Sequence, residues 1–347
     1  MVPEIGGDLL DRHHVLAVTG NPPDIVTALS GVGAGRNDLF LQQTRPQRRW
    51  MTRRWPRAWA GTMRSVRKIV RDSLVSIRDA LVSNRPAQNI IRSGSRAGFI
   101  PRRVYYRLPP LGVHTVTSPA GHSFTYATDK SDMISRGVVW GNLKVWEASS
   151  LAVFSDLSRK SERILDVGAY SGVYSLIACA DGPGEAIAFE PNPKIRPLLE
   201  RNIRANGWEN RITVVPKGAS DAPGSARMTI PDDTTAAKVD DAGTGPTIEL
   251  TTIDEVLHGR RADVIKVDVE GLEAQVLAGA SETLGRYKPA LIVEALTERS
   301  FEEVRAVLTP HGYDRCQHLA PNGAILTERF VHMARYANFL WTASAIV

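Results

Sequence analysis

The stretch RILDVGAYSGVYSLIACA, residues 163–180, combines a short strand, a glycine turn and the start of a helix. Its opening residues include the apolar run expected of a strand that is buried on both faces. Gly168 and Gly172 flank the turn, and apolar residues then recur at helical spacing, at Val173, Leu176 and Ile177. This order of elements is typical of the nucleotide-binding corner of a doubly wound α/β sheet.

The residue between the two glycines indicates which nucleotide would bind. Dinucleotide-binding folds carry G-x-G-x-x-G, in which the second glycine lets the backbone approach a pyrophosphate. Tyr170 occupies that place here, which favours a ligand without phosphates, such as S-adenosylmethionine. Asp166 could take part in anchoring the amino-acid end of that ligand. The alternative is a plain strand-to-helix turn that binds nothing.

A second apolar strand, residues 186–189, ends in Glu190. An acidic residue at this place, about 20 residues past the glycines, commonly binds ribose hydroxyls. Asn192 and Pro193 then predict the start of the next helix. The alternation of strands and helices continues, and a third strand, residues 212–215, is followed by a loop that contains Ala219. We expect this loop to pass near the adenine.

Length and composition agree with a soluble enzyme. The chain has 347 residues, 43% of them hydrophobic, and no apolar run approaches the roughly 20 residues of a membrane span. The acidic start of the chain is unlike an export signal. Two cysteines, Cys179 and Cys316, are too few to indicate a disulfide framework or a zinc cluster. These features predict a cytoplasmic protein without a metal site.

The net charge of +6 is unevenly distributed, because arginines are dense between Arg45 and Arg107. Residues 1–62 have no sustained period, so we expect a disordered leader, or a translation start placed too far upstream. An apolar stripe at helical spacing follows, with basic residues away from it: Val66, Ile69, Val70, Leu74, Ile77 and Leu81. This basic helix could dock on its own domain or make peripheral contact with an anionic membrane. We favour the first interpretation.

We expect residues 63–146 to comprise this basic helix and a small β cap. The cap would lie in front of a nucleotide domain, which we expect at residues 147–347. Residues 104–106 have the composition of one strand, and residues 113–117 and 122–128 that of a hairpin around residues 118–121. A polar loop at residues 232–246 could act as a lid.

Five sequence blocks in a fixed order resemble the FkbM family of S-adenosylmethionine-dependent methyltransferases: DVGAYSGVYSL, FEPNP, TTIDEV, IKVDVEGLEAQVLAGA and IVEAL. The resemblance spans roughly residues 140–341 and implies an α/β fold, the Rossmann-like, seven-stranded, doubly wound sheet of class I methyltransferases. It also implies methyl transfer to a hydroxyl of a sugar, glycolipid or secondary metabolite. The residues that it places at the cofactor are Asp166, Gly168, Ala169, Gly172 and Glu190, and those beside the methyl-transfer site are Asp268, Glu270 and Gly271. Leu296 departs from the family, which often has a histidine shortly after the fifth-strand glutamate.

Asp268 and Glu270 follow the fourth strand, which should lie beside the first one at the switch point of the sheet. A hydroxyl is a poor nucleophile at neutral pH, so a carboxylate base is expected near the methyl donor. If the chain stays extended after Asp268, the two carboxylates share a direction and one pKa rises. The alternative is that they only cap the following helix.

Two other classes of function remain open at this stage. The first is a nucleic-acid methyltransferase that is steered by the arginine-rich segment. Its candidate stacking residues are Trp50, Trp55, Trp59, Tyr105 and Tyr106. The second is a partner protein that binds the cofactor without turnover. The sequence contains no recognisable nucleic-acid-binding module, so we expect a small-molecule or glycan acceptor and no nucleic-acid partner. The sequence leaves the oligomeric state open.

Overall fold

The computed structural model describes residues 72–73, 75–76, 78–80, 82–231, 238–239, 245–321, 323–333 and 337–343. Their helices are α1 (Arg85–Arg96), α2 (Arg102–Tyr105), a π-helix (Arg136–Trp140), α3 (Ala148–Ser158), α4 (Val173–Asp181), α5 (Arg196–Asn206), α6 (Ile253–Leu257), α7 (Glu273–Ala278), α8 (Ser281–Tyr287), α9 (Glu298–Leu308) and a 3₁₀ turn (Thr309–His311). The strands are β1 (Gly112–Thr117), β2 (Ser123–Thr128), β3 (Arg163–Val167), β4 (Glu185–Phe189), β5 (Ile212–Val215), β6 (Gly218–Ala219), β7 (Gly224–Thr229), β8 (Lys238–Val239), β9 (Thr247–Thr251), β10 (Val264–Val267), β11 (Ala290–Glu294), β12 (Tyr313–Ala320), β13 (Gly323–Leu326) and β14 (Asn338–Ala343).

A large mixed sheet has the strand order β13-β12-β14-β11-β10-β3-β4-β5. Strands β5, β4, β3, β10 and β11 are parallel, whereas β14, β12 and β13 are antiparallel. The predicted doubly wound α/β fold is therefore confirmed. The strand count differs, because the edge strand β13 brings the sheet to eight strands. All four residues of β13 are exposed, so it lacks the apolar alternation that predicts a strand from sequence.

The two faces of this sheet are covered by separate hydrophobic cores. One core contains residues of α3, α4 and α5, for example Phe154, Leu176 and Leu199. The other contains residues of the helices from α6 to α9, for example Leu257 and Phe301. The central strand β10 is buried along all four of its residues, as the prediction of a strand covered on both sides requires.

The predicted hairpin of the cap is confirmed, because β1 and β2 pair antiparallel from Gly112↔Thr128 to Thr117↔Ser123. The predicted strand at residues 104–106 is wrong, since α2 is helical there and Tyr106 N–H donates to the Arg102 carbonyl at 3.0 Å. Pro101 directly precedes this helix, and Tyr105 is buried in the core beside α4. A run of three residues is too short to separate a strand from a helical turn by its period.

Helix α5 fastens the cap to the sheet domain through two asparagines. Asn202 Oδ1 accepts from Ala127 N–H at 2.6 Å, and Asn206 exchanges two hydrogen bonds of 2.7 Å with the backbone of Thr125. Because these bonds are buried or half-buried, the cap is held at a fixed place against α5 and α4.

Several predictions concern residues outside this description. The leader, the tryptophans at positions 50, 55 and 59, and the apolar stripe from Val66 to Leu81 lie outside it, as do residues 232–237 and 240–244 of the predicted lid. Within the described ranges, no helix is long and apolar enough to cross a membrane.

Candidate active site

A cavity of about 240 Å³ opens at the carboxyl ends of the central strands, where ligands bind in doubly wound sheets. Strand β3 lies at the switch point, with β4 on one side and β10 on the other. Most of the cavity wall comes from the segments that follow these strands. The cap adds Ile134 and Trp146, and Glu147 lies directly after the cap, before α3. Among the described residues of the wall, Lys266 carries the only positive side chain, facing five acids: Glu147, Glu190, Asp268, Glu270 and Glu294.

The glycine turn packs directly against the loop after β10. Gly168 has φ +81°, and a Cβ built on it would lie 1.9 Å from the Asp268 carbonyl oxygen. A side chain at Gly168 therefore cannot fit without moving the loop that carries Asp268. Gly172, with φ +90°, lies behind the turn, and its Cβ would meet the Leu199 side chain at 2.5 Å. Gly168 and Ala169 line the cavity, whereas Gly172 does not.

Tyr170, at the position where dinucleotide-binding folds have their second glycine, bonds to the cap. Its phenol donates to the Ser131 carbonyl at 3.0 Å and accepts from Met133 N–H at 3.2 Å. The residue has φ +52° and lines the cavity. A backbone in this left-handed region is uncommon for a bulky residue, and here it directs the side chain toward residues 131–133.

Glu190 lies at the end of β4, as predicted, and is 5% exposed. Its Oε2 accepts from Tyr170 N–H at 2.7 Å, and its Oε1 accepts from Asn192 N–H at 2.8 Å. Burial raises the pKa of this carboxyl to about 7. The Nδ2 donor of Asn192 is buried without a partner among the described residues and belongs to the same wall. Carboxylate oxygens beside a free amide donor could bind a ribose diol.

Asn192 does not begin the next helix, which corrects the sequence prediction. Helix α5 starts at Arg196, and Asn192 Oδ1 accepts from Lys194 N–H at 3.0 Å in a preceding turn. Ala219 of β6 lines the cavity with Phe189. These two residues form an apolar surface of the kind that a purine ring packs against.

Asp166 lies behind the cavity and is not part of its wall. The side chain is fully buried, and its Oδ2 accepts from the backbone N–H and the hydroxyl of Ser175 at 3.0 and 2.7 Å. It therefore holds the first turn of α4. In the parallel register, Asp166 pairs with Lys266 of β10. Burial raises its pKa, while the charge of Lys266 acts to lower it.

Lys266 links the buried strand to the cavity. Its side chain is 4% exposed, and Nζ donates to Asp268 Oδ2 at 3.0 Å. The same ammonium lies 4.8 Å from the centroid of the Tyr174 ring. Burial acts to lower the pKa of Lys266, but the surrounding carboxylates outweigh burial and raise it. Lys266 therefore remains charged and fixes the position of Asp268.

Two acids complete the cluster around Asp268. Glu294, at the end of β11, is hydrogen bonded to Asp268, and burial together with the charges of Asp268 and Glu147 raises its pKa to about 10. Glu147 accepts from the Tyr174 hydroxyl at 2.6 Å and from Asn338 Nδ2 at 3.2 Å. Burial and then Asp268 raise the pKa of Glu147 to about 7. Of the acids in this cavity whose pKa is raised, Glu294 therefore holds its proton most firmly.

The chain turns after Asp268, so the condition under which the carboxylates of Asp268 and Glu270 would share a direction is not met. Glu270 has φ +58° and Gly271 has φ +101°. Glu273 stabilises this turn, because its Oε1 accepts from Gly271 N–H at 2.9 Å and from Val269 N–H at 3.3 Å. Glu270 lines the cavity, but the carboxyl that is bonded to Asp268 is Glu294. No trio of His, Cys, Asp or Glu side chains within the described ranges is placed to hold a metal ion.

A family model described as the methyltransferase FkbM domain matches residues 166–315. The chain carries an FkbM methyltransferase domain. It is an S-adenosylmethionine-dependent methyltransferase, as the resemblance implied. Methyltransferase sdnD of Sordaria araneosa is similar to this chain, at 26% identity over 44% of this chain and 73% of that protein.

Solved structures with similarity to this chain include two methyltransferases. Methyltransferase FkbM from Methylobacillus flagellatus is 23% identical, with a TM-score of 0.39, and the match covers 62% of this chain and 56% of that one. This chain thus spans little more than half of the length of the protein from Methylobacillus flagellatus. An S-adenosylmethionine-dependent O-methyltransferase from Thermotoga maritima is 16% identical, with a TM-score of 0.35, and the match covers 66% and 77% of the two chains.

The wall of the cavity fits S-adenosylmethionine on its own chemistry. The cofactor carries a positive sulfonium, and five acids face one lysine here. Burial and neighbouring carboxylates raise the pKa of three of these acids, Glu147, Glu190 and Glu294, and a cation that binds among them would stabilise their ionised forms. The unpartnered amide of Asn192 and the carboxylate of Glu190 add a donor and acceptors for the nucleoside.

Proposed function

We propose that this FkbM methyltransferase methylates a hydroxyl oxygen of a small-molecule or glycan acceptor, such as a sugar, a glycolipid or a secondary metabolite. The observation that carries the proposal is the position of Asp268. It lies at the end of β10 in the cavity, paired with the buried ammonium of Lys266 and bonded to Glu294. A carboxylate that is fixed in this way suits a general base for a hydroxyl.

In this proposal the wall residues hold the cofactor, and Asp268 takes the proton. Gly168 and Ala169 would contact the cofactor through their backbone, Glu190 and Asn192 through the ribose, and Ala219 through the adenine. Asp166 and Gly172 would act indirectly, by shaping the turn before α4. The bound cofactor supplies an electrophilic methyl group. Asp268 accepts the hydroxyl proton of the acceptor, while Lys266 and Glu294 keep its carboxylate oriented.

The acceptor class is supported by the carboxyl groups that line the cavity with Asp268. Glu147 and Glu294 add carboxyl groups near Asp268, and Glu270 contributes another. Carboxyl groups bind polyols well, because each oxygen accepts hydroxyl hydrogens. Glu270 would thus serve the acceptor, or assist Asp268 in catalysis as the resemblance implied.

A nucleic-acid acceptor is less well supported by the same wall. A phosphate backbone that entered the cavity would find a single ammonium, that of Lys266, among the described residues of the wall, so few of its charges would be neutralised there. A binding partner without turnover would have no need of a fixed carboxylate beside the cofactor cavity. The cytoplasmic location, and the membrane contact through the helix near residues 66–81, stay predictions.

Asp268→Asn tests the proposal. The substitution keeps the shape of the side chain but removes its basicity, so methyl transfer should fall by about 100-fold or more while cofactor affinity barely changes. Turnover is followed by mass spectrometry as transfer of a deuterated methyl group from S-adenosylmethionine to extracted glycolipids and metabolites. Calorimetry with S-adenosylhomocysteine measures the affinity.

Asp156→Asn is the matched control, because Asp156 is exposed on α3. Near-normal turnover of Asp268→Asn would place the base elsewhere, at Glu147 or Glu294. A label found on nitrogen or in RNA, and not as an alkali-stable methyl ether, would refute the proposed acceptor chemistry.

A further inference from the structure

The part of the chain between residues 80 and 128 contains no aspartate and no glutamate. Six arginines lie within it, in α1, in α2 and just after α2: Arg85, Arg92, Arg96, Arg102, Arg103 and Arg107. Their total charge equals the formal net charge of the entire protein, which is +6. We call residues 85–113 the arginine segment.

These arginines have no acidic partner within the described part of the chain. Arg92 bonds to His114 Nδ1 at 3.2 Å, Arg96 to Asn142 Oδ1 at 2.7 Å, and Arg102 to the Tyr106 hydroxyl at 3.0 Å. Burial and the charge of Arg92 lower the pKa of Arg96, which is the response of a cation to a neighbouring cation. The segment therefore keeps a concentrated positive charge that the described fold does not neutralise.

Large apolar side chains are exposed in the same segment. Phe99, in the turn between α1 and α2, is 85% exposed, Ile90 is 69%, Val113 is 65% and Val104 is 45% exposed. Their sequence neighbours Ile91, Ile100 and Tyr105 pack against the core. The segment thus presents one set of apolar residues to the core and a second set to solvent, among the arginines.

We propose that the arginine segment docks this protein on a bilayer of anionic lipid, with Phe99 inserted at the level of the headgroups. Anionic headgroups complement the unneutralised arginines, and the interface beneath them accommodates exposed aliphatic and aromatic side chains. A nucleic acid offers phosphates for the arginines but no apolar phase for Ile90, Val104 or Val113. Docking at this surface is separate from methyl transfer and does not depend on the acceptor.

A fluorescent label at the tip of the segment tests docking directly. Cys179 and Cys316 are buried, so Phe99→Cys in the full chain takes an environment-sensitive dye at one accessible thiol. Vesicles of phosphatidylcholine with phosphatidylglycerol should shift its emission to the blue, and vesicles of phosphatidylcholine alone should not. The control is Leu326→Cys on β13, where the leucine is 68% exposed, and its dye should not respond.

A charge variant tests the electrostatic part in the same labelled chain. Arg103 and Arg107 are exposed, and Arg103→Gln with Arg107→Gln should weaken vesicle binding by about tenfold or more. The matched pair Arg159→Gln and Lys160→Gln, exposed after α3, should not. Three results overturn the proposal: vesicle binding without a response at position 99, an equal response at position 326, or a response to RNA but not to vesicles.

Discussion

Replacing Lys266 by methionine would test whether one ammonium holds the acidic cluster together. The two side chains are similar in length, so the main change is the loss of the buried charge. Lys266 Nζ lies 3.0 Å from Asp268 Oδ2, and two unit charges at that distance attract by about 5.5 kcal/mol at an effective dielectric constant of about 20. Methionine also avoids the cost of burying an ammonium, so the net loss should be smaller.

Proton uptake limits this loss and makes it depend on pH. A carboxyl with an ordinary pKa near 4 takes up a proton at pH 7 at a cost of about 4 kcal/mol. This cost falls by about 1.4 kcal/mol for each pH unit below pH 7. The free energy of unfolding should therefore fall by roughly 3–4 kcal/mol at pH 7 and by about 1 kcal/mol at pH 5. The native variant binds a proton that its unfolded chain releases, so its stability relative to the parent rises as pH falls.

Urea unfolding followed by circular dichroism, at pH 5, 6 and 7, measures the difference between variant and parent. Lys217→Met is the matched control, because Lys217 pairs with Glu249 at 2.9 Å on the surface, where water screens the charges. Its unfolding free energy should stay near that of the parent at every pH. A loss in Lys266→Met that matches this control, or that does not change with pH, would refute the reasoning.

Two further predictions concern Gly168 and Glu190, which both line the cavity. Gly168→Ala should lower the free energy of unfolding by more than about 2 kcal/mol in urea titrations, because its Cβ would lie 1.9 Å from the Asp268 carbonyl oxygen. Gly207→Ala, with φ +68° and open space around it, isolates the cost of the backbone angle, and an equal loss in both variants would contradict the clash. The affinity for S-adenosylhomocysteine should rise about tenfold from pH 6 to pH 8 in calorimetry, since the Glu190 carboxyl, with a pKa of about 7, binds hydroxyls best when ionised. Glu190→Gln should remove this dependence, and a flat profile in the parent chain would be contrary to it.

Local patterns were sufficient to predict several residues that line the cavity. The glycine turn, Glu190 and Asp268 each follow a buried strand, and the carboxyl ends of neighbouring parallel strands meet at one edge of the sheet. Strand periodicity together with this rule therefore brings residues about a hundred positions apart to one cavity.

Contacts between distant parts of the chain decided the rest. Glu147 reaches the cavity because Tyr174, 27 residues away, and Asn338, 191 residues away, bond to its carboxylate. No local period encodes such a placement, and the cap has no recognisable motif. Asp166 was expected at the cofactor, but its carboxylate is bonded to Ser175 of α4, a contact that the strand pattern does not encode, and it is not part of the cavity wall.

The position of β14 has a consequence for the synthesis of this protein. Residues 338–343 form a strand that lies between β11 and β12 and pairs with both. Until the ribosome has made these residues, Leu291, Ile292 and Val293 belong to an open edge, although all three are buried in the finished sheet. The nascent chain must therefore carry an unpaired apolar strand edge until residues 338–343 have been made, and such edges can pair with other chains.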